Sequence, residues 1–274
     1  MVTQTQDPRT ETIFRKDLAQ VVHRTDWMFF WLLIGQWLFG IAIAVLWSPR
    51  TWIAQYWSIH QHVFAATLGG ALFAAYPLYL ILRRPGTPYT RHMIAIGQML
   101  QSALLVHVTG GRIETHFHVF GSLALLAFYR DWTVLLTASA VVYFDHLALG
   151  AWFPLSVYGV TVASVWRSVE HAFWVVFEVV FLTMSCRTGI RELRAIAGRE
   201  VQLQDAAEAL GEANRTLEAH VDGRTQELRH AKDTLEDKVK ELELLNSVMM
   251  DREERIIELK EQLKVVQAEL ARRT

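Results

Sequence analysis

The chain has 274 residues, 52% of them apolar, and a formal net charge of −1. A charge this close to zero gives no electrostatic reason to expect a nucleic-acid partner, and a single cysteine, Cys186, excludes an internal disulfide framework. The apolar residues are concentrated in residues 26–187, and charged residues dominate the remainder, which predicts a lipid-embedded part followed by a water-soluble part.

The first 25 residues are polar and charged. They contain neither the short apolar run nor the small-residue cleavage site of a secretory signal peptide. We therefore expect residues 1–25 to form a cytoplasmic N-terminal segment, and the first apolar segment to remain as a membrane anchor.

Six apolar segments approach the length of about 20 residues that a helix needs to cross a bilayer. They are Trp27–Trp47, His62–Leu82, His92–Val108, Ile113–Tyr129, Trp132–Ala151 and Val169–Cys186. The predicted fold class is therefore all-α: a polytopic membrane bundle of six transmembrane helices over residues 26–187. The apolar stretch 153–166 is consistent with an interfacial helix or a re-entrant segment at the outer face, and Gln98 and Gln101 are expected to bind neighbouring helices.

Lysine and arginine are unevenly distributed between the two sides of these spans. The N-terminal tail and the flanks after spans two, four and six carry most of them, whereas the opposite flanks hold only Arg50, Arg112 and Arg167. Because basic flanks stay in the cytoplasm, this bias predicts an inner (plasma) membrane protein with both termini in the cytoplasm.

Seven of the eleven histidines fall at the outer ends of the predicted spans. They are His60, His62, His107, His116, His118, His146 and His171. Ionisable groups within a membrane are costly and mark a functional site by default, and neutral imidazole is the commonest protein metal ligand. We expect these rings to converge on a transition metal (copper, zinc or iron) or haem b near the outer face. The alternative is that each histidine prefers the interface and bonds a neighbour.

Spacing limits which of these histidines share a ligand. His116 and His118 lie about 200° apart on a helix, so both bind one ion only if the segment after Gly110–Gly111 is extended. Otherwise one binds and the other has a supporting role. A metal-bound imidazole needs an acceptor for its second nitrogen. Four carboxylates are candidates for that acceptor: Glu114, Asp145, Glu170 and Glu178.

After Arg187 the sequence is typical of one long helix without proline. Eight apolar residues follow heptad spacing: Val221, Leu228, Leu235, Leu242, Met249, Ile256, Leu263 and Leu270. Residues 188–274 are predicted to form a cytoplasmic signalling helix that pairs with a second copy as a parallel homodimeric coiled coil. A fold-back that turns at Asp222-Gly223 is the alternative.

No glycine-rich nucleotide loop is present, and neither His220 nor His230 lies in a histidine-kinase phosphoacceptor motif. We predict no catalytic residue and expect that the chain is not an enzyme. Two other interpretations remain open, a metal-dependent membrane redox enzyme and a structural anchor with a dimerising rod.

The run GGRIETHFHVFGSLALLAFYRDWTVLLTASAVVYFDHLALG (Gly110–Gly150), with WRSVEHAFWVVFE (Trp166–Glu178), resembles a six-helix membrane sensor domain with a His-Phe-His motif. That domain precedes histidine-kinase, diguanylate-cyclase or chemotaxis-receptor modules in bacterial signalling proteins. The resemblance covers about residues 20–190. Its motif falls on His116, His118, His146, His171 and Glu178, and relatives often have His-His where this chain has Asp145-His146.

The tail Leu245–Leu263 is similar to linkers that lead into sensor-kinase output domains. The resemblance therefore implies a signal-transduction module, of the kind found in two-component systems. Its downstream partner would be an output domain or protein that the chain does not contain.

Overall fold

The computed structural model describes residues 7–48, 50–53, 56–162 and 165–271, and it is all-helical apart from one hairpin. The elements are α1 Pro8–Trp47, β1 Arg50–Ile53, β2 Tyr56–Ile59, α2 Gln61–Phe64, a π-helical turn Ala65–Gly69, α3 Gly70–Arg83, α4 Pro88–Val108, α5 Ile113–Leu126, a 3-10 turn Ala127–Tyr129, α6 Trp132–Trp152, α7 Pro154–Tyr158 and α8 Val165–Ala271. The two strands pair antiparallel in a hairpin that the sequence did not predict.

Four of the predicted spans are long and apolar enough to cross a membrane within the described residues. They lie in Pro8–Trp47, Gln61–Arg83, Trp132–Trp152 and Trp166–Ala268, which correspond to predicted spans one, two, five and six. The third and fourth predicted spans, now α4 and α5, fall short of that standard. The chain is thus an all-α protein with several membrane-type helices, and a count of six is not established.

Helix α4 is more polar than a lipid-facing span because other helices surround it. It packs against α1, α3, α5 and α6. The Nε2 of Gln98 donates 2.8 Å to Ser122 Oγ on α5, and the Nε2 of Gln101 donates 2.9 Å to the carbonyl of Gly70 on α3. The prediction that these glutamines bind neighbouring helices is confirmed.

Helix ends follow from local chemistry. Asp7 caps α1 by accepting from the backbone N–H of Arg9 at 2.9 Å, and this bond is the main reason that the pKa of Asp7 lies below its ordinary value. Asp131 caps α6 in the same way, accepting from the N–H of Thr133 at 3.0 Å. Each cap satisfies a backbone donor that a helix start leaves without an intrahelical acceptor.

The turn between α4 and α5 depends on two glycines. Gly110 and Gly111 have φ angles of 70° and 71°, the left-handed region that residues with a Cβ disfavour. A Cβ on Gly111 would lie 2.5 Å from the backbone nitrogen of Gly159 and 2.7 Å from the carbonyl carbon of Val157, so this glycine also lets the α7 region approach. Helix α5 begins at Ile113, so the extended conformation that we considered for His116 and His118 does not occur.

The main apolar core lies where α1, α4, α5 and α6 meet. Phe29, Ile94, Leu123 and Leu135 are fully buried there, and Cys186 of α8 closes one side. Because lipid tails are as apolar as these side chains, close packing between the helices, rather than removal of the side chains from water, stabilises a core of this kind within a membrane.

The chain divides into two compact units, Met1–Gln202 and Leu203–Thr274. The first extends past the boundary that we predicted at residue 187, because Leu193 and Ala197 of α8 are buried against Phe14 of α1. The second unit is helical to residue 271. Seven of its predicted heptad residues are 42–68% exposed in this single chain, namely Val221, Leu228, Leu235, Leu242, Met249, Ile256 and Leu263. The eighth, Leu270, lies outside the residues whose side chains are described.

Candidate histidine site

Ring contacts divide the seven predicted histidines into three groups. His116, His146 and His171 come together from α5, α6 and α8, and we call them the histidine trio. His60, His62 and His107 form a second cluster. His118 belongs to neither group, so the seven rings do not all meet at one site.

The trio is compact. The ring centroid of His116 lies 5.7 Å from that of His146 and 5.4 Å from that of His171, and the remaining pair is 6.1 Å apart. Each ring comes from a different helix, so the contact joins three segments that are separated along the chain.

All three rings are held in the same way. In each, Nδ1 lies 2.8–3.1 Å from the backbone carbonyl oxygen four residues earlier. The carbonyls are those of Arg112, Val142 and Arg167. Because a carbonyl oxygen only accepts, Nδ1 must carry the proton, and the neutral ring keeps its lone pair on Nε2.

One of these Nε2 atoms is buried and unsatisfied. The Nε2 of His116 has no hydrogen-bond partner within the part of the chain that the structure describes. The backbone of Val157 approaches the same ring without meeting hydrogen-bond geometry at Nε2. A buried polar atom left unpaired is costly and needs an explanation, and a bound ligand supplies one.

A cavity of about 430 Å³ opens beside the trio, and all three rings line it. Its other walls are mainly apolar side chains of α5, α6 and α8, among them Val119, Phe144, Leu147 and Val175. A mostly apolar chamber with a few convergent polar groups is the usual form of a small-ligand site.

The predicted supporting carboxylates are only partly in place. Asp145 is mostly buried, and its Oδ2 lies 3.3 Å from Nδ1 of His146. Glu114 and Glu170 are exposed, and Glu178 is half-buried with Oε2 unpaired among the described residues. The backbone carbonyls therefore take the orienting role that we had assigned to these acidic side chains.

Sequence reasoning missed Tyr158 of α7. Its ring centroid lies 5.3 Å from that of His171 and 6.2 Å from that of His146, and its hydroxyl is 2.8 Å from Ser168 Oγ. Gly150 makes room for this ring, since a Cβ there would lie 2.9 Å from it. The signal was the apolar stretch 153–166, which we had assigned to the outer face without a partner.

The second cluster is less suited to binding an ion. The centroids of His60 and His62 are 4.3 Å apart, and those of His62 and His107 are 5.4 Å apart. The Nδ1 of His60 accepts from the backbone N–H of His62 at 3.1 Å, so its lone pair caps helix α2. The Nδ1 of His107 bonds the hydroxyl of Ser156.

The side chain of His118 faces a different direction from that of His116, two residues earlier. Its Nδ1 lies 2.9 Å from Ser102 Oγ, within the buried polar contacts between α4 and α5. This is the outcome of the 200° separation on a regular helix. His118 therefore belongs to helix packing rather than to the trio.

Across the described ranges, no group of three or more His, Cys, Asp or Glu side chains is positioned to hold an ion as it stands. The trio lines a shared cavity, but enclosing an ion there requires side-chain adjustment.

Comparison with known proteins gives one informative similarity. The chain is 32% identical over 117 residues to Transducer protein Htr8 of Halobacterium salinarum, a match that covers 40% of this chain and 18% of that protein. This chain therefore spans about a fifth of the length of its curated relative. No family model and no solved structure matches. A signalling transducer as a distant relative, together with the membrane-type helices, fits a membrane signalling module.

Proposed function

We propose that this chain is the membrane sensor part of a signalling protein, and that it binds a transition-metal ion through His116, His146 and His171. The observation that carries the proposal is the shared orientation of the three rings. Each Nδ1 is fixed by a backbone carbonyl, and each ring lines one cavity. Metal-binding histidines are normally oriented in this way, with the second ring nitrogen donating to a carbonyl or carboxylate.

The ring spacing supports an ion shared by the trio. Imidazoles that bind one ion at about 2.1 Å from nitrogen place their ring centroids about 5–6 Å apart. The three measured separations are 5.4, 5.7 and 6.1 Å. The centroids are thus close to the spacing that a shared ion requires, and imidazole donors suit copper, zinc or iron.

The same spacing favours a small ion over haem b. A haem held between two of these imidazoles would need its porphyrin plane free of protein around the iron. The third ring of the trio lies within 6.1 Å of both others and would occupy that plane. The trio therefore fits a single metal ion better than it fits haem b.

Helix α8 supplies the route for the signal. His171 lies near its start, and the helix continues to residue 271. A ligand that draws His171 toward α5 and α6 favours one position of α8 over another, which is how binding shifts a two-state equilibrium. Beyond residue 203 the helix is rich in charged residues and exposes its heptad residues. This part would pass the change to a downstream output domain or protein.

Self-association completes the proposal. An apolar stripe exposed at 42–68% along a helix is stabilised when a second helix covers it, and a second copy offers the same stripe in the same register. We therefore propose a parallel homodimer in the inner membrane, with both termini in the cytoplasm and without enzymatic activity of its own. The similarity to the Halobacterium transducer protein supports this role.

The test begins with metal content. The full chain is purified, stripped with chelator and titrated with copper, zinc and iron, with elemental analysis and an optical spectrum at each step. We expect about one ion per chain, lost in the His116→Ala, His171→Ala double variant and kept in His118→Ala, which removes a histidine of the same helix outside the trio. The absence of binding in the unaltered chain would refute the metal site, and a Soret band would revive haem.

Transmission is tested separately. Leu235→Cys in a Cys186→Ser background places one thiol on the heptad stripe, and the rate of disulfide cross-linking between two chains is measured with and without the metal. A metal-dependent change in rate, absent from the trio variant, supports the sensor. A rate that does not respond to a metal that binds would leave a metalloprotein without signalling, which argues for the redox-enzyme alternative.

A further inference from the structure

Four arginines line a cleft at the opposite end of the bundle from the trio. Arg91 of α4, Arg130 in the turn before α6, and Arg187 and Arg191 of α8 surround a space of about 450 Å³. This is the end that the arginine bias assigns to the cytoplasm. We call it the arginine cleft.

One acidic residue, Asp131, also lines the cleft, and both of its carboxylate oxygens already have partners. The Oδ2 of Asp131 lies 3.1 Å from Nε of Arg91, and both side chains are mostly buried. Its Oδ1 accepts from the N–H and the hydroxyl of Thr133 at 3.0 and 2.6 Å. Asp131 therefore balances Arg91 and leaves the other three guanidinium groups without an acidic partner in the cleft.

Two of those three groups, Arg130 and Arg187, make contacts that do not neutralise them. Arg130 NH1 donates 3.1 Å to the carbonyl of Gly189 on α8, and the guanidinium of Arg187 lies 5.9 Å from the ring centroid of Trp132. Neither Arg187 nor Arg191 forms a salt bridge within the described residues. The cleft thus has an excess of about three positive charges.

Arg130, whose side chain lines the cleft, has an unusual backbone conformation. Its φ is 56°, and it is the one residue other than glycine with a positive φ in the described part of the chain. This conformation is unfavourable for a residue with a Cβ, and such positions cluster at functional sites. The side chain lies against Gly189, where an added Cβ would be 3.4 Å from Arg130 Cδ. A larger residue at 189 would crowd the guanidinium stem.

We propose that the arginine cleft binds a phosphate group, supplied by the headgroup of an anionic phospholipid. Guanidinium groups present paired N–H donors that match phosphate oxygens, and basic pockets between membrane helices on the cytoplasmic side take anionic headgroups. Leu18, Trp132 and Ile190 give the cleft an apolar wall beside the charges, as a diacyl lipid requires and a free phosphate does not. Trp132 is 41% exposed, which suits the membrane interface.

A lipid in the cleft would contact the same two helices, α6 and α8, that carry His146 and His171 of the trio. Trp132 and His146 are 14 residues apart on α6, about 21 Å, and Arg187 and His171 are 16 residues apart on α8, about 24 Å. A phosphate that bridges Arg130 and Arg187 would fix the separation of the same two helices whose other ends carry trio residues. The binding proposal stands independently of any metal.

The test uses native mass spectrometry of the full chain in detergent, with phosphatidylglycerol and phosphatidylcholine titrated in turn. We expect one phosphatidylglycerol per chain to bind at least about tenfold more tightly than phosphatidylcholine. The Arg187→Gln, Arg191→Gln variant should lose this preference. A charge-matched control, Arg194→Gln with Arg199→Gln, removes two arginines of α8 outside the cleft and should keep it.

A second arm identifies the source of the phosphate. Inorganic phosphate is added in competition with the lipid at constant ionic strength, with sodium chloride as the salt control. Retention of phosphatidylglycerol supports the lipid source, whereas displacement by phosphate alone assigns the cleft to soluble phosphate. The proposal is overturned if the two lipids bind equally, or if both double variants lose the anionic lipid to the same extent.

Discussion

The hydroxyl of Tyr129 donates a 2.7 Å hydrogen bond to Oδ1 of Asp26, joining residues 103 positions apart in a fully buried contact. The other carboxylate oxygen of Asp26 accepts from the backbone N–H of Gly86 at 2.6 Å. One carboxylate thus joins α1 to the 3-10 turn after α5 and to the turn between α3 and α4. Without this carboxylate the Tyr129 hydroxyl, which is fully buried, would have no partner.

Replacing Asp26 should therefore be among the more damaging single changes in the chain. Asp26→Ala leaves the buried Tyr129 hydroxyl without an acceptor and removes the partner of the Gly86 N–H, and we expect a loss of about 2–4 kcal/mol in unfolding free energy. Tyr129→Phe removes one donor and should cost about 1–2 kcal/mol. Denaturant unfolding of the purified protein in micelles measures both.

The matched control for Tyr129→Phe is Tyr76→Phe. The Tyr76 hydroxyl lies 2.9 Å from that of Tyr89, and both residues are exposed, so its loss should change the unfolding free energy by less than about 0.5 kcal/mol. Equal effects of the two tyrosine variants would show that the contact with Asp26 contributes little.

Substitutions at two adjacent glycines distinguish the cost of backbone strain from the cost of a steric clash. Gly110→Ala and Gly111→Ala both place a Cβ on a left-handed residue, which costs about 1–2 kcal/mol. The Cβ at 110 meets nothing within 4 Å, whereas at 111 it would lie within 2.8 Å of the Val157 backbone. We expect Gly111→Ala to be the more destabilising and to displace α7, which measured unfolding free energies and chymotrypsin cleavage at Leu155 and Tyr158 will report. Similar values for the two variants would mean that α7 does not rest on this turn.

The heptad stripe predicts a position-dependent effect on dimer formation. Leu242→Lys places a charge within the proposed interface and should reduce cross-linked dimer at least about fivefold. Leu244 is 68% exposed but lies off the stripe, so Leu244→Lys is the control and should leave the dimer intact. Chemical cross-linking of the full chain in nanodiscs gives the comparison. Loss of dimer in both variants would point to a different register.

Metal affinity at the trio should fall in acid. An imidazole binds metal only through a deprotonated nitrogen, so protons compete with the ion. Lowering the pH from 7.5 to 5.5 should weaken binding more than about tenfold, both in the unaltered chain and in His118→Ala. Isothermal titration in two buffers of different ionisation enthalpy will also count the protons released. A pH-independent affinity would mean that imidazoles are not the ligands.

Hydropathy and basic flanks predicted the long helices well. The predicted span Trp132–Ala151 differs from α6, Trp132–Trp152, by one residue, because an apolar run bounded by Asp131 and Phe153-Pro154 leaves little choice of ends. The predicted span His92–Val108 lies within α4, whose hydropathy falls short of a membrane-crossing standard, since a helix surrounded by helices does not have to be apolar. Hydropathy also carries no signal for the short β1–β2 pair.

The composition of the histidine site was less accessible from sequence. Which imidazoles meet depends on how each helix is rotated about its axis, and packing rather than local sequence sets that rotation. His116 and His118 show the difficulty, since they are two residues apart and face separate neighbours. Tyr158 was missed for a related reason, because its place beside His171 depends on the glycine turn that lets α7 approach.

The π-helical turn at Ala65–Gly69 has a consequence for the second histidine cluster. A π-helical turn contains one residue more than an α-helical turn. The residues before it are therefore rotated by about 100° around the helix axis, relative to their positions in an uninterrupted α-helix. The approach of His62 to His107 thus depends on a single inserted position. Deleting one residue there would turn the ring to a different neighbour while scarcely altering hydropathy, so insertions and deletions near residue 67 should change this end of the protein more than most substitutions do.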